Sequence, residues 1–321
     1  MTKHSIICIS DVEDAHIPYV QRHLDSAMLV VFGRATAEKR GLSYEFARGR
    51  AQLLYEGRPI TSVKSVWYRK PKIYPEQIQV PPEYKKYALS AMRIHADAML
   101  SLFPDAFWLS DYYAILRASS KPWQQIVAHR LGFHIPDTTA TSDAQRAKQF
   151  LAAHNRTVVK TQAAHMPVFG TEVRTFPTTL VQEGETVDMK GLHLSPAIFQ
   201  QAIDFAYELR VSVVGDKVFT GRIVDHHAKD MPAAMRDWRI NHLYEAAKFE
   251  AYDLPPALAR QCVSLVKELG LRFGAIDLIV DKKGKVWFLE INPNGQWAFI
   301  EDDTDLPIGK AIADLLAGGG R

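Results

Sequence analysis

Residues 274–295, GAIDLIVDKKGKVWFLEINPNG, bring two acids and an amide onto what reads as one short hairpin. Gly274–Val280 and Lys285–Ile291 are apolar and β-branched, and the DKKG between them is a turn signal. If Lys283-Gly284 is a two-residue loop, Asp277 lies directly opposite Glu290; a four-residue loop leaves the two diagonal on the same face. Strand side chains alternate with period two, so Glu290 and Asn292 share a face. Like charges opposed across strands destabilise a sheet, so a positive group is expected between the acids. Three hard oxygen donors, with room for waters and phosphate oxygens, describe a Mg²⁺ site that completes its shell with nucleotide. The competing reading is a solvated hairpin with acids on its wet face. It fits poorly with Glu290 inside the apolar run Val286–Ile291, where a charge lacking a partner is unfavourable.

A chain of 321 residues is too long for one ordinary core and points to two or three packed lobes. Its 47% hydrophobic and 23% charged residues are ordinary for a soluble globular protein. A formal charge of +3 argues for neither nucleic acid nor an acidic membrane surface, and neither is expected as a partner. Cys8 and Cys262 make no disulfide framework and are expected as reduced thiols. The opening HSIICIS has no basic flank or small-residue cleavage site. No apolar stretch approaches the roughly 20 residues that span a bilayer. The expected location is the cytoplasm.

The pattern along the chain is α/β. Residues 5–10, 28–32 and 62–71 read as strands, the first two separated by a helical segment, and 84–102 as a long amphipathic helix. Ser119-Ser120 caps a helix that Gly132 ends, with Trp123, Ile126, Val127 and Leu131 on one face. Another helix is capped near Ser142, and TVVKT (157–161) is a buried strand with Lys160 near its end. Residues 162–195 read as mobile loops and hairpins. ELRVSVVG and DKVFTGRI form a hairpin turned at Gly215-Asp216. Pro255-Pro256 opens a helix with Leu258, Cys262, Leu265 and Leu269 at helical spacing and Gly270 as its stop, and LPIGKAIADLL is the closing helix. The first lobe shows no recognisable catalytic signature.

This order of motifs, from about Lys121 to Leu316, resembles the ATP-grasp superfamily of carboxylate–amine ligases. It is most similar to the microviridin-type (graspetide, or omega-ester-containing peptide) ligases, which cross-link ribosomal peptides. The residues that carry the resemblance are VWYRKP, IFQQAIDFAYELRVSVVGDKVF, DWR at 237–239, and FGAIDLIVDKKGKVWFLEINPNGQWAFIEDDTDLPIGKAIADLL. It implies an α/β (α+β) ATP-grasp fold. An N-terminal pre-ATP-grasp domain would span 1–112, a central lobe 113–198, and a C-terminal lobe with the metal site 199–321. The implied cofactors are ATP and two Mg²⁺ ions; the implied partners are a ribosomal precursor peptide with its leader and a second copy in a homodimer. The implied reaction makes an acyl phosphate from an Asp or Glu side chain, which a Ser/Thr hydroxyl or a Lys amine then displaces.

Under that resemblance Asp277, Glu290 and Asn292 hold the metal ions that bridge the phosphates, and Lys121 and Lys160 approach the nucleotide phosphates. Arg210 alternates with Ser212 onto the polar face of its strand. With Arg239 it suits a γ-phosphate or acyl-phosphate clamp, because guanidinium forks match phosphate oxygens. The structural alternative for these arginines is an ion pair with Glu208 or Asp237. Adenine is expected along a linker at Phe199–Ile203, with the amides of Gln200 and Gln201 and the backbone of Ala202 and Ile203. Asp204 or Glu208 would take the ribose hydroxyls. Residues 162–195, with His165, Gly170 and Gly184, would cover the phosphates, and His226-His227 read as structural. Two other functions compete: a ligase for free amino acids or small carboxylates, like glutathione synthetase or RimK-type enzymes, and a non-catalytic ATP-binding scaffold.

Overall fold

The computed structural model describes residues 6–11, 13–25, 28–31, 42–55, 57–60, 62–69, 80–100, 103–162, 168–169, 172–173, 178–185, 187–225 and 247–320. His165, Gly170, His226, His227 and Arg239 lie outside them.

The chain opens with β1 (Ile6–Ile9), α1 (His16–Gln21) and β2 (Leu29–Val31). A three-stranded antiparallel sheet follows, made of β3 (Leu42–Ala47), β4 (Arg50–Tyr55) and β5 (Arg58–Pro59). Then come β6 (Ser65–Tyr68), α2 (Pro82–Leu100) and β7 (Phe107–Leu109). β1, β2, β6 and β7 form one parallel sheet in the order β2-β1-β6-β7. Its central strand IICI is apolar at every position because both faces are covered: Ile6 and Cys8 join one core, Ile7 and Ile9 another. The small antiparallel sheet escaped the sequence reading for a local reason. Its first turn is Arg48-Gly49, both at positive φ (53° and 74°), so an arginine stands where Asn or Asp usually announces this hairpin.

The middle of the chain holds α3 (Tyr112–Ala118), α4 (Lys121–Arg130), β8 (Thr138–Thr141), α5 (Ala144–Ala153) and β9 (Arg156–Thr161). A two-stranded pair, β10 (Val168–Phe169) and β11 (Glu172–Val173), precedes β12 (Thr179–Gln182) and β13 (Ala197–Gln201). An antiparallel sheet forms in the order β12-β9-β13-β8. Residues 162–195, read as loops and hairpins, hold the β10–β11 hairpin and also supply the edge strand β12. One expectation changes. Phe199–Gln201, read as linker, lie in the interior strand β13 with Phe199 and Gln200 buried, so only Ala202–Asp204 connect this sheet to the next.

The last sheet comprises β14 (Phe205–Val214), β15 (Lys217–Asp225), β16 (Ala247–Ala251), β17 (Phe273–Asp281) and β18 (Val286–Asn292), with α6 (Pro256–Glu268) inserted before β17. All pairs are antiparallel, in the order β16-β15-β14-β17-β18. The turn expected at Gly215-Asp216 is present, with Gly215 at φ +60° and Val214 paired with Lys217. One face of this sheet is a core: Leu209, Val211, Ile276, Leu278, Phe288 and Ile291 pack with Cys262 and Leu265 of α6 and Val127 of α4. The opposite face starts apolar, where Val214, Phe273 and Ala275 lie in the core formed with α7 (Ala298–Thr304) and α8 (Ile308–Gly318). Further along the same strands it becomes charged. No described helix is long and apolar enough to cross a membrane.

Candidate functional site

The β17–β18 hairpin turns differently from either expected loop. Asp281 N–H donates to Lys285 O and Gly284 N–H to Asp281 O, both at 2.9 Å, so the loop is Lys282-Lys283-Gly284 with Gly284 at φ +81°. The Asp281 carboxylate tightens it by accepting the N–H groups of Lys283 and Lys285 at 2.8 and 2.9 Å. Continued at the register Leu278–Phe288, this pairing would set Asp277 against Leu289. A bulge absorbs Leu289 and restores the pair Asp277–Glu290. Since a one-residue slip exchanges faces, the bulge keeps Phe288 and Ile291 both in the core and turns Glu290 and Asn292 outward beside Asp277.

Arg210 flanks Asp277 on the other side, in register on β14. Its Nη1 donates to Asp277 Oδ1 at 2.6 Å and its Nη2 to Gln296 O at 3.2 Å. Beyond Glu290, the Lys121 ammonium lies 2.9 Å from Glu290 Oε2. Arg210, Asp277, Glu290 and Lys121 therefore form a row with charges +, −, −, +. Among the described residues, a positive group thus stands at each end of the acid pair. Gly295 makes room for this arrangement: a Cβ there would approach Arg210 Nη2 to 2.7 Å and collide with Ala275.

Gln124, a residue the sequence reading passed over, sets the position of Lys121. Its Nε2 donates to Ile291 O at 2.8 Å and its Oε1 accepts the Ile291 N–H at 3.1 Å, so the side chain pairs the outer edge of β18 as a strand would. Lys121 and Gln124 are three residues apart on α4 and share a face, which brings the lysine to Glu290. The available signal was a glutamine at the position that Val127 and Leu131 reserve for the core. Lys121 begins its helix, where the dipole disfavours a cation, and Glu290 offsets that cost.

The first lobe also reaches the site, through Arg69 of VWYRKP. This arginine is 2% exposed. Its Nε lies 3.3 Å from Asp14 Oδ2 and its Nη1 donates to Gly295 O at 3.3 Å. His16 Nε2 accepts the N–H of Trp297 at 3.1 Å, and its Nδ1 lies 2.8 Å from Asp14 Oδ1 and 2.9 Å from Arg69 Nη2. Asn294 donates its side-chain amide to Arg69 O at 2.9 Å and its N–H to Asn292 Oδ1 at 3.1 Å. The turn 292–297, which carries Asn292 and the carbonyl that anchors Arg210, is thus held from the N-terminal sheet. Burial raises the Asp14 carboxyl, but the His16 hydrogen bond and the Arg69 guanidinium outweigh it and hold that carboxyl well below the usual range. Sequence reading missed this network because its partners are 55 and 281 residues apart.

In the central sheet, Lys160 Nζ donates to Gln200 Oε1 at 2.9 Å, and Gln200 Nε2 donates to Thr138 Oγ1 at 3.0 Å. Gln200 is buried, so its amide orients Lys160 from inside the sheet. The N–H groups of Gln201 and Ala202 donate to Asp137 O and Arg156 O at 2.8 and 3.0 Å, which commits one of the backbone donors expected for adenine, that of Ala202. Ile203 follows in the connection, half-buried. Asp204 is exposed and paired with Arg156, whose hydrogen bond holds its carboxyl below the usual range. Glu208 lies on the Arg210 face of β14, opposite Ile279.

The side chains of Asp277 and Glu290 are 18% and 21% exposed, within reach of a cation. Among the described residues no three His, Cys, Asp or Glu side chains form a closed metal cage. Two carboxylates and the Asn292 amide oxygen are a partial set of hard donors. Such a set fits Mg²⁺, which keeps waters and phosphate oxygens in its shell.

No family model and no curated protein sequence matches the chain. Solved structures do. A RiPP-associated ATP-grasp ligase from Chryseobacterium gregarium, in complex with ADP and a leader and core peptide, superposes with a TM-score of 0.87 at 26% identity, over 98% of this chain and 96% of that one. Macrocyclase MdnC from Microcystis aeruginosa MRC, bound with precursor peptide MdnA, gives 0.81 at 26% identity, over 98% and 99%. ATP-grasp ligase PsnB, complexed with minimal precursor, Mg and ADP, gives 0.77 at 20% identity over 100% and 99%, a likeness of fold. With the whole length of the chain matched to this architecture, the protein is an ATP-grasp ligase, similar in structure to the RiPP-associated ATP-grasp ligases.

Proposed function

We propose that this protein uses ATP and Mg²⁺ to activate Asp or Glu side chains of a ribosomal precursor peptide and closes ω-ester rings with Ser/Thr or ω-amide rings with Lys. The observation that carries the reading is the row Arg210, Asp277, Glu290 and Lys121 beside Asn292, two acids and two cations gathered on one sheet face. Bound Mg²⁺ would neutralise charge on the transferring phosphoryl group. The chain's own residues do the positioning. Asp277, Glu290 and Asn292 hold the ions, and Lys121 and Lys160, the latter oriented by Gln200, take the nucleotide phosphates. Arg210 and Arg239 steady the transferred phosphoryl group. Adenine rests along Gln201–Ile203, with the ribose toward Asp204 or Glu208.

A peptide carboxylate oxygen attacks the γ-phosphorus and ADP departs with the bonding pair, leaving an acyl phosphate. The hydroxyl or amine then attacks the acyl carbon, loses its proton, and inorganic phosphate leaves. Holding both groups of one peptide together converts ring closure into an intramolecular step. The leader and core peptide in the Chryseobacterium ligase and the precursor peptide in MdnC support a peptide as substrate. We also propose the division at about residues 112 and 198, a cytoplasmic location and a homodimer; sedimentation at twice the monomer mass would bear on the last.

The test is purified protein with ATP, Mg²⁺ and candidate precursor peptides rich in Thr/Ser and Asp/Glu. The expected result is loss of one water per ring, with ADP formed only when peptide is present. ADP formation driven by free amino acids, with peptides left unchanged, contradicts the reading and favours the small-carboxylate ligase.

A further inference from the structure

Between them Arg210, Asp277, Glu290 and Lys121 carry a net charge of zero. Two carboxylates are already matched, one by Arg210 at 2.6 Å and one by Lys121 at 2.9 Å. The two cations are not equivalent. Arg210 is 6% exposed, lies in a central strand and is anchored twice, to Asp277 and to Gln296 O. Lys121 is 33% exposed, on an unbranched stem at the first turn of α4. The helix beneath it is fixed by Gln124, so the lysine can swing while its base stays in place.

Building on the nucleotide reading above, we propose that Lys121 and Arg210 are built-in counter-cations that make the carboxylate site reject a bare divalent ion and accept the metal only together with a nucleoside polyphosphate. A bare ion placed between Asp277 and Glu290 meets a fixed guanidinium at one end and an ammonium at the other, and must displace the lysine without offering it an anion. A polyphosphate brings that anion. Lys121 then leaves Glu290 for a phosphate oxygen, which frees the carboxylate for the ion at the moment the ion arrives. Lys121 thus determines which species the site takes, in addition to contacting phosphate. It also removes the strain of a lysine at a helix N-terminus by giving it an anionic partner in both states.

Mn²⁺ serves as the probe, with unbound Mn²⁺ measured by electron paramagnetic resonance on the full chain. Wild-type protein, Lys121→Met and Lys121→Arg are each titrated alone and with a non-hydrolysable ATP analogue. The expected result is that wild type binds bare Mn²⁺ at least ~50-fold more weakly than it binds Mn²⁺ with the analogue. Lys121→Met binds bare Mn²⁺ about tenfold more tightly than wild type, while Lys121→Arg, which keeps the charge, does not. Equal affinity of wild type and Lys121→Met for bare Mn²⁺, in samples with matching melting curves, overturns the proposal. Tight binding of bare Mn²⁺ by wild type overturns it as well. Lys121→Gln carries the same comparison should Lys121→Met fail to fold. If the folded wild type takes up no Mn²⁺ even with the analogue, the nucleotide reading itself is what fails.

Discussion

Arg69 and Asp14 show how much of this site rests on residues that touch no ligand. Their ion pair is buried, and removing one partner of such a pair leaves an uncompensated charge. Arg69→Met is expected to cost about 3–5 kcal/mol in chemical denaturation. A cost below about 1 kcal/mol would mean that the network adds little. The acid limb follows from the sign of the Asp14 shift. Its folded-state carboxyl is depressed, so the stabilisation is fully present above the ordinary carboxylate value near 4 and is lost as pH falls below it. Wild type should therefore lose melting temperature more steeply below about pH 4 than Asp14→Asn does. Burial also pushes the Cys262 thiol up to about 12 and raises Cys8, so neither should react with a thiol reagent near pH 8 before unfolding. At this scale the sequence was legible where period two governs: Asp277, Glu290, Asn292 and Arg210 do share one face. It was silent on Gln124 and Arg69, whose roles come from tertiary partners.

At the scale of elements, the β17–β18 hairpin was legible as a hairpin, while the path to its register was not. A three-residue loop alone would have turned Glu290 into the core, and the bulge at Leu289 reverses that. Nothing in KVWFLEIN marks which residue is extra until Phe288 and Ile291 are both required by the same core. The turn after β18 is tighter still. Gly295→Ala should destabilise the fold by about 1–3 kcal/mol through overpacking and lower nucleotide turnover at least tenfold by displacing Arg210. Gly284→Ala is the control. Its added methyl meets open space at φ +81°, so it should cost about 1 kcal/mol and leave turnover unchanged. Equal turnover of both variants would separate the 292–297 turn from Arg210 function.

Over the whole molecule, the first and last elements share one core. Ile6, Cys8, Trp67 and Leu109 of the N-terminal sheet pack with Ile308, Ile312 and Leu316 of α8. Ser65 Oγ donates to Leu316 O at 2.6 Å, and the Lys64 ammonium donates to Ala317 O. Gly309 lets α8 lie against the backbone of Tyr19, where a Cβ would come within 2.7 Å of its carbonyl oxygen. The sequence divided the chain into lobes by motif order and could not show that α8 returns to cover the first sheet. A fragment of residues 1–112 lacks that cover, and should show exposed apolar surface and no cooperative melting transition. Cooperative melting of the fragment would show that the first lobe completes its own core.

The charged row stands where these pieces meet, and its function is read most directly by ADP release from Asp277→Asn and Glu290→Gln with ATP, Mg²⁺ and a precursor peptide. Both changes keep side-chain shape. Loss of turnover by roughly 100-fold or more, with wild-type melting behaviour, is the outcome expected of groups that hold metal ions on a triphosphate. Turnover equal to wild type in either folded variant would contradict it.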